Sequence, residues 1–228
     1  MAVPFYVAPE QMMKDRAEYA RKGIARGRAL VALEYVDGVI FVGENPSRSL
    51  YKTSEIYDRI AYAAVGKYNE FESLRVAGIR LADVKGYQYG REDVLAKSLA
   101  NAFSQALGGI FMGDSKPFEV EVLIAQVNDV APQIELFHIL YDGSIVDEHR
   151  FVAIGGESEA LMERLGEGYE DGLSLGAAVR FAVGVLGETS GREIPAADLE
   201  VSGLDRTRAR RRFFRIAEDD LASVLDGA

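Results

Sequence analysis

Gly172-Leu173-Ser174-Leu175-Gly176 has the G-x-S-x-G spacing of a serine nucleophile, whose elbow needs an apolar strand before it and a histidine later in the chain. Both histidines, His138 and His149, come before it. Ser174 therefore reads as a helix N-cap, its oxygen accepting from an orphan backbone N–H. His149 with Asp147 and Glu148 could in principle hold a metal, but three adjacent residues on an extended segment point to different faces. A solvated edge is the preferred reading, and no metal or cofactor is expected. Phe151 to Gly156 is half of a nucleotide-binding turn, yet G-x-G-x-x-G is incomplete, and Glu157 and Glu159 would repel phosphate. A tight strand-to-helix turn suits it better. The strongest charge run, RTRARRR from Arg206 to Arg212, has only Phe213 and Phe214 beside it, whereas a nucleic-acid surface interleaves a broad basic field with aromatics. A solvated turn, or a salt-bridged contact with an acidic neighbour, accounts for it.

The whole-chain balance agrees. Lys and Arg total 26 against 36 Asp and Glu, a formal charge of -10 that opposes non-specific nucleic-acid binding. There is no cysteine, so neither a disulfide framework nor a thiolate zinc site can form, and a reducing cytoplasm is compatible. No apolar run approaches membrane-spanning length, and MAVPFYVAPEQ lacks the basic start and long apolar core of a signal peptide. The expectation is a cytoplasmic chain without a membrane partner. A length of 228 residues, 48% of them hydrophobic, with no Pro/Ser-rich linker, predicts a single domain over 9–228 behind a short leader, 1–8.

The elements that must position any site follow from hydrophobic period. Leu30 to Tyr35 and Val39 to Gly43 read as strands joined by Asp37-Gly38, a pair that tolerates the positive φ of tight turns. Ser54 to Val65 is open between a helix (Ile56, Ile60, Ala64) and a strand (Ile60, Tyr62, Ala64). Lys67 to Ala82 and Glu92 to Leu107 read as a helix pair, the second clearly amphipathic. Strands over Phe118 to Val127, Ile134 to Tyr141, Ser144 to Val146 and Phe151 to Ile154 follow, with Asp142-Gly143 as a turn. Two helices, Ser158 to Tyr169 and Leu175 to Leu186, lead to strands near Leu199 to Gly203 and Arg212 to Ile216. Strand runs separated by helix pairs predict an α+β fold, a four-layer αββα sandwich with two sheets face to face and helices on both outsides.

The leading helix is well specified. Pro9 suits the first helical position and Glu10 the positive end of the dipole, while Arg21 and Lys22 suit the last turn, with Gly23 and Gly27 as stop signals. Met12, Met13, Tyr19, Ala20 and Ile24 make a loose apolar stripe. A helix over 9–22 is too short to stand alone and must dock, either on its own domain or against neighbouring copies in a ring.

Glu18-Tyr19-Ala20-Arg21 ahead of the first strand resembles the leading segment of proteasome α-type subunits. GVIFVGENPSRSLYK (38–52), YDRIAYAAVGKYNEFESLRVAGIRLAD (57–83), KPFEVEVLIAQV (116–127) and LYDGSIVDEHRFVAIGG (140–156) extend the likeness from Pro9 to about Leu225. The chain looks closest to the α subunits of actinobacterial 20S proteasomes, which share the sandwich of the N-terminal-nucleophile hydrolases. It departs from archaeal and eukaryotic α subunits in FYVAPEQMMKDR and in Glu119, where theirs has glycine. The resemblance decides Ser54 to Val65 for strand. It implies a homo-heptameric α ring capping proteasome β subunits, an AAA+ ATPase activator ring, and unfolded protein substrates carrying a small ubiquitin-like tag. In β subunits of this fold an N-terminal threonine, freed by cleavage after glycine, is nucleophile and its own amine the base. Thr53, Thr189 and Thr207 follow Lys52, Glu188 and Arg206, and Gly143-Ser144 lies in an apparent hairpin. A catalytically silent subunit is expected, the alternative being a self-sufficient hydrolase of the same fold. Two sites follow from the likeness. Lys52 aligns with the lysine that receives an activator's C-terminal carboxylate between neighbouring α subunits. Met1, Ala2, Val3, Pro4, Phe5, Tyr6, Val7 and Ala8 form the expected gate, Phe5 and Tyr6 able to pack on copies of themselves near the ring axis.

Overall fold

Several strands of this chain are apolar on both faces, and the computed structural model, which describes residues 8–113, 116–130 and 133–225, shows what covers them. The chain runs α1 (Pro9–Ala25), β1 (Leu30–Tyr35), β2 (Gly38–Glu44), β3 (Thr53–Tyr57), β4 (Ile60–Gly66), α2 (Tyr68–Gln88) and α3 (Ala96–Met112). It continues with β5 (Val120–Val127), β6 (Ile134–Ile139), β7 (Ile145–Glu148), β8 (Phe151–Ile154), α4 (Ser158–Gly168), α5 (Leu175–Ser190), β9 (Leu199–Asp205), β10 (Phe213–Arg215) and α6 (Glu218–Leu225). The strands form two antiparallel sheets, ordered β10-β9-β2-β1-β8 and β3-β4-β5-β6-β7. Helices α2 and α3 lie on the second sheet; α4 and α5 lie on the first, with α6 against α5. This is the expected αββα sandwich.

Strand β4 shows how the layers are built. Ala61, Ala63 and Val65 face the other sheet, joining Leu123 and Ala125 of neighbouring β5 against Ala32 and Phe41, whereas Ile60, Tyr62 and Ala64 face α2 and α3. Alternation thus wins over the helical spacing in Ser54 to Val65. That window holds two strands, because Asp58 and Arg59 turn the chain between them. A two-residue period with apolar residues at both phases is the pattern of a strand buried on both sides.

Other boundaries move for identifiable reasons. The β1–β2 turn is Val36-Asp37, with Gly38 already paired to Tyr35. Gly38 is needed for close approach: a Cβ there would stand 1.9 Å from the Leu204 carbonyl oxygen of β9. Gly23 does not stop α1; it lies inside the helix, where a Cβ would meet the Glu119 carboxylate at 2.0 Å. Helix α2 runs on to Gln88, and α3 begins at Ala96, whose N–H donates to Gln126 Oε1 of β5 at 2.7 Å. Arg91–Asp93 forms a single 3₁₀ turn between them. Helix α6 is new, an acidic first turn (Glu218, Asp219, Asp220) with Leu221 as its buried anchor.

Helix α1 docks on its own sandwich. Ala20 and Ile24 join the inter-sheet core, Arg16 donates to the carbonyls of Phe111 (2.7 Å) and Ile110 (3.1 Å), and Arg21 Nε donates to Tyr141 Oη at 2.8 Å. Met12 and Tyr19 from the predicted stripe stay exposed.

Candidate functional site: the Lys52 niche

Lys52 is the last residue of the 45–52 loop, directly ahead of β3, and the surrounding charges explain why the loop stops there. Glu200 on β9 is 6% exposed, and its carboxylate gathers the loop end. It accepts from the backbone N–H of Lys52 and of Thr53 (both 3.0 Å), from Thr53 Oγ1 (2.5 Å), from Asn45 Nδ2 (2.6 Å) and from Arg215 Nη1 (2.8 Å). Burial alone would raise this carboxyl, but the donors outweigh it and hold Glu200 below its usual range. Arg215 completes the clasp: its Nη2 donates to the Thr53 carbonyl at 2.9 Å and its guanidinium lies 4.0 Å from the centre of the Tyr51 ring.

Held this way, the half-buried Lys52 side chain reaches back to the α1–β1 link, where Nζ donates to the Arg28 carbonyl oxygen at 2.7 Å. Withdrawal from water pulls the ammonium down to about 8; the Glu200 charge opposes this and the Arg28 charge adds to it. Arg28 in turn shares the buried Glu44 carboxylate, at the end of β2, with Arg192. The niche therefore offers one weakly held ammonium with proton-donating capacity left over, beside a carbonyl that a stronger acceptor could replace.

The hydroxyls are differently disposed. Thr53 Oγ1 is buried, donating to Glu200 and accepting from Ser202 Oγ at 2.8 Å. Thr207 Oγ1 bonds Asp205 in the β9–β10 turn at 2.6 Å, and Thr189 lies in α5. Ser144 closes the Asp142-Gly143 turn, where Gly143 has φ of 88°. Ser174 caps α5, accepting from the Ala177 N–H at 3.3 Å, and the N–H of Gly156 in the predicted strand-to-helix turn donates to the Gly27 carbonyl at 3.2 Å. His138 lies between Glu121 (3.8 Å) and Glu148 (3.5 Å) on the inner face of the second sheet; burial opposes its charge, but the two carboxylates prevail and raise it to about 9. Among the described residues no group of three His, Cys, Asp or Glu could hold a metal, His149 with Asp147 and Glu148 included.

The expected site residues do not come together. Of the gate, Met1 to Val7 lie outside the described residues. Ala8 is exposed at the head of α1, its carbonyl accepting from Met12 at 3.0 Å, whereas Lys52 sits past the tail of that helix. Seventeen helical residues, about 25 Å at the usual rise, separate the two ends. Sequence reasoning missed Glu200, Arg215 and Glu44. An acid flanked by Leu199 and Val201 in the strand LEVSGLD was the available signal for the first.

Two five-stranded antiparallel sheets between helix pairs, with a further helix packed ahead of the first strand, define a proteasome-type sandwich subunit, and the family profile described as proteasome subunit matches residues 24–201. Three relatives, each named proteasome subunit alpha, show the full-length likeness. That of Kineococcus radiotolerans is 54% identical, with 100% of this chain and 99% of the relative covered. That of Acidothermus cellulolyticus is 53% identical (99% and 98% covered), and that of Streptomyces coelicolor 54% (99% and 91%). The chain belongs to the proteasome family, as a subunit of the α type. No helix among the described residues is long and apolar enough to cross a membrane.

Proposed function

We propose that this chain is the structural and gating subunit of a cytoplasmic proteasome core. Its single sandwich domain closes with six copies into a ring through one patch against a different patch of the next, the heterologous contact that rotation can close. Two such rings cap β rings, and unfolded substrates pass through a pore that the leader 1–8 plugs. An ATPase ring docks by placing its C-terminal carboxylate on Lys52. The chain does no peptide chemistry itself, a reading supported by the commitment of Thr53 Oγ1 to Glu200 and Ser202 and by the helix that precedes β1.

The observation that carries the docking role is the Lys52 ammonium, held by a loop that Glu200 clamps and bonded, among the described residues, to a single carbonyl. A terminal carboxylate would be a charge-assisted acceptor, stronger than that neutral one. Lys52→Ala should leave ring assembly and basal peptide cleavage intact and weaken co-sedimentation with the ATPase or with a peptide of its C-terminal residues. Wild-type retention of both partners would return Lys52 to the ordinary surface. The self-sufficient hydrolase predicts covalent capture of the purified chain by a threonine-directed inhibitor; the α-ring role predicts none.

A further inference from the structure

The arginine run at 206–212 plays no part in that role. It forms the turn between β9 and β10 beside the β3–β4 turn, at the opposite end of β3 from Lys52. There it closes a groove of about 800 Å³ lined by five guanidiniums: Arg59, Arg91, Arg210, Arg211 and Arg212. Three carboxylates, Glu55, Asp58 and Glu92, share the lining, so the groove is basic on an acidic chain. Part of this charge is spent internally. Arg211 Nε bonds Glu55 at 2.5 Å, Arg91 Nε bonds Asp58 at 2.9 Å, and Arg59 Nη2 bonds the Glu92 carbonyl at 3.1 Å.

Arg212 is largely buried: its Nη2 grips both oxygens of Asp129, at 2.7 and 3.0 Å, and its Nη1 is enclosed with no hydrogen-bond partner among the described residues. Arg210 is exposed and makes no ion pair among the described residues. Tyr89, two residues before Arg91, is 76% exposed, and arginine with tyrosine is the pairing enriched at protein interfaces.

We propose that this groove docks an acidic segment of a partner protein, one carboxylate accepting from Arg210 and another from the terminal nitrogens of the exposed Arg211, whose Nε faces Glu55. A peptide can put carboxylates at those two points and neutral residues opposite Glu55 and Asp58. A nucleic-acid strand, with a charge at every phosphate, would meet those carboxylates and the excess negative charge of the chain as well.

Fluorescence anisotropy of the purified full-length chain with a dye-labelled peptide alternating glutamate and glycine tests the assignment. Saturable binding is expected, weaker by about ten-fold for the matching glutamine-glycine peptide and for Arg210→Glu, and falling as salt is raised. Because Arg210 is exposed and has no ion-pair partner among the described residues, the variant should keep the wild-type melting temperature. Absent binding, equal binding of the glutamine peptide, an unaltered affinity in folded Arg210→Glu, or tighter binding of an oligo-dT strand would each overturn the proposal.

Discussion

Lys52 carries its proton only below about 8, and a carboxylate ligand needs that proton. The sign of its pH dependence follows: affinity for a C-terminal peptide should be full near neutrality and decline as pH rises through 8 to 9.5, in the range where an ordinary lysine is still charged. Lys52→Arg, charged throughout, should flatten that decline even if the altered head group binds less well at pH 7. Calorimetric titration of the peptide across this range checks both statements. The lysine itself was legible from its segment, Leu50-Tyr51-Lys52-Thr53, once the resemblance was in hand. Its controller was not, because Glu200 lies 148 residues downstream and reaches the loop only when β9 has paired with β2. A buried carboxylate with five donors is a tertiary fact that no local spacing encodes.

At the scale of elements, Gly38 separates two readings that the sequence leaves alike. If the glycine served a turn with positive φ, asparagine would be a fair substitute. The close approach of the Leu204 carbonyl rules instead that any side chain is a collision. Gly38→Ala and Gly38→Asn should therefore cost similar amounts, about 2–3 kcal/mol, by wedging β2 from β9. Thermal melts would show it, and a wild-type melting temperature for Asn with a depressed one for Ala would restore the turn reading. Period and turn chemistry made most strands and helices visible, since apolar residues must repeat at 2 or 3.6 wherever a face is buried. Their ends were harder to see: the first N–H of α3, on Ala96, donates to Gln126 in another layer, and α6 is anchored by the buried side chain of Leu221.

For the whole molecule, the testable matter is traffic through the proposed ring. Deleting Met1 to Ala8 from the assembled particle should raise hydrolysis of small peptides while leaving β-subunit chemistry unchanged. An unchanged peptide rate in a correctly assembled deletion particle would sink the gate. The deletion stops short of Pro9, so the contacts that seat α1, Arg16 on the Phe111 carbonyl and Arg21 on Tyr141, survive it. Co-expression with a β subunit of the same genome, followed by native mass measurement, should give a stable assembly with many copies of each chain.

The layer between the sheets has a mechanical meaning. Ala32, Ala61, Ala63 and Ala125 meet there beside Leu30, Phe41, Leu123 and Ile154, all with almost no exposure, so short side chains alternate with large ones and the sheets interlock. Dense interiors resist compression and transmit displacement. In the proposed ring, a push delivered at the Lys52 end would then tilt the subunit as one stiff block, like a stave in a barrel, and the bore would widen or narrow by the rocking of staves about their seams.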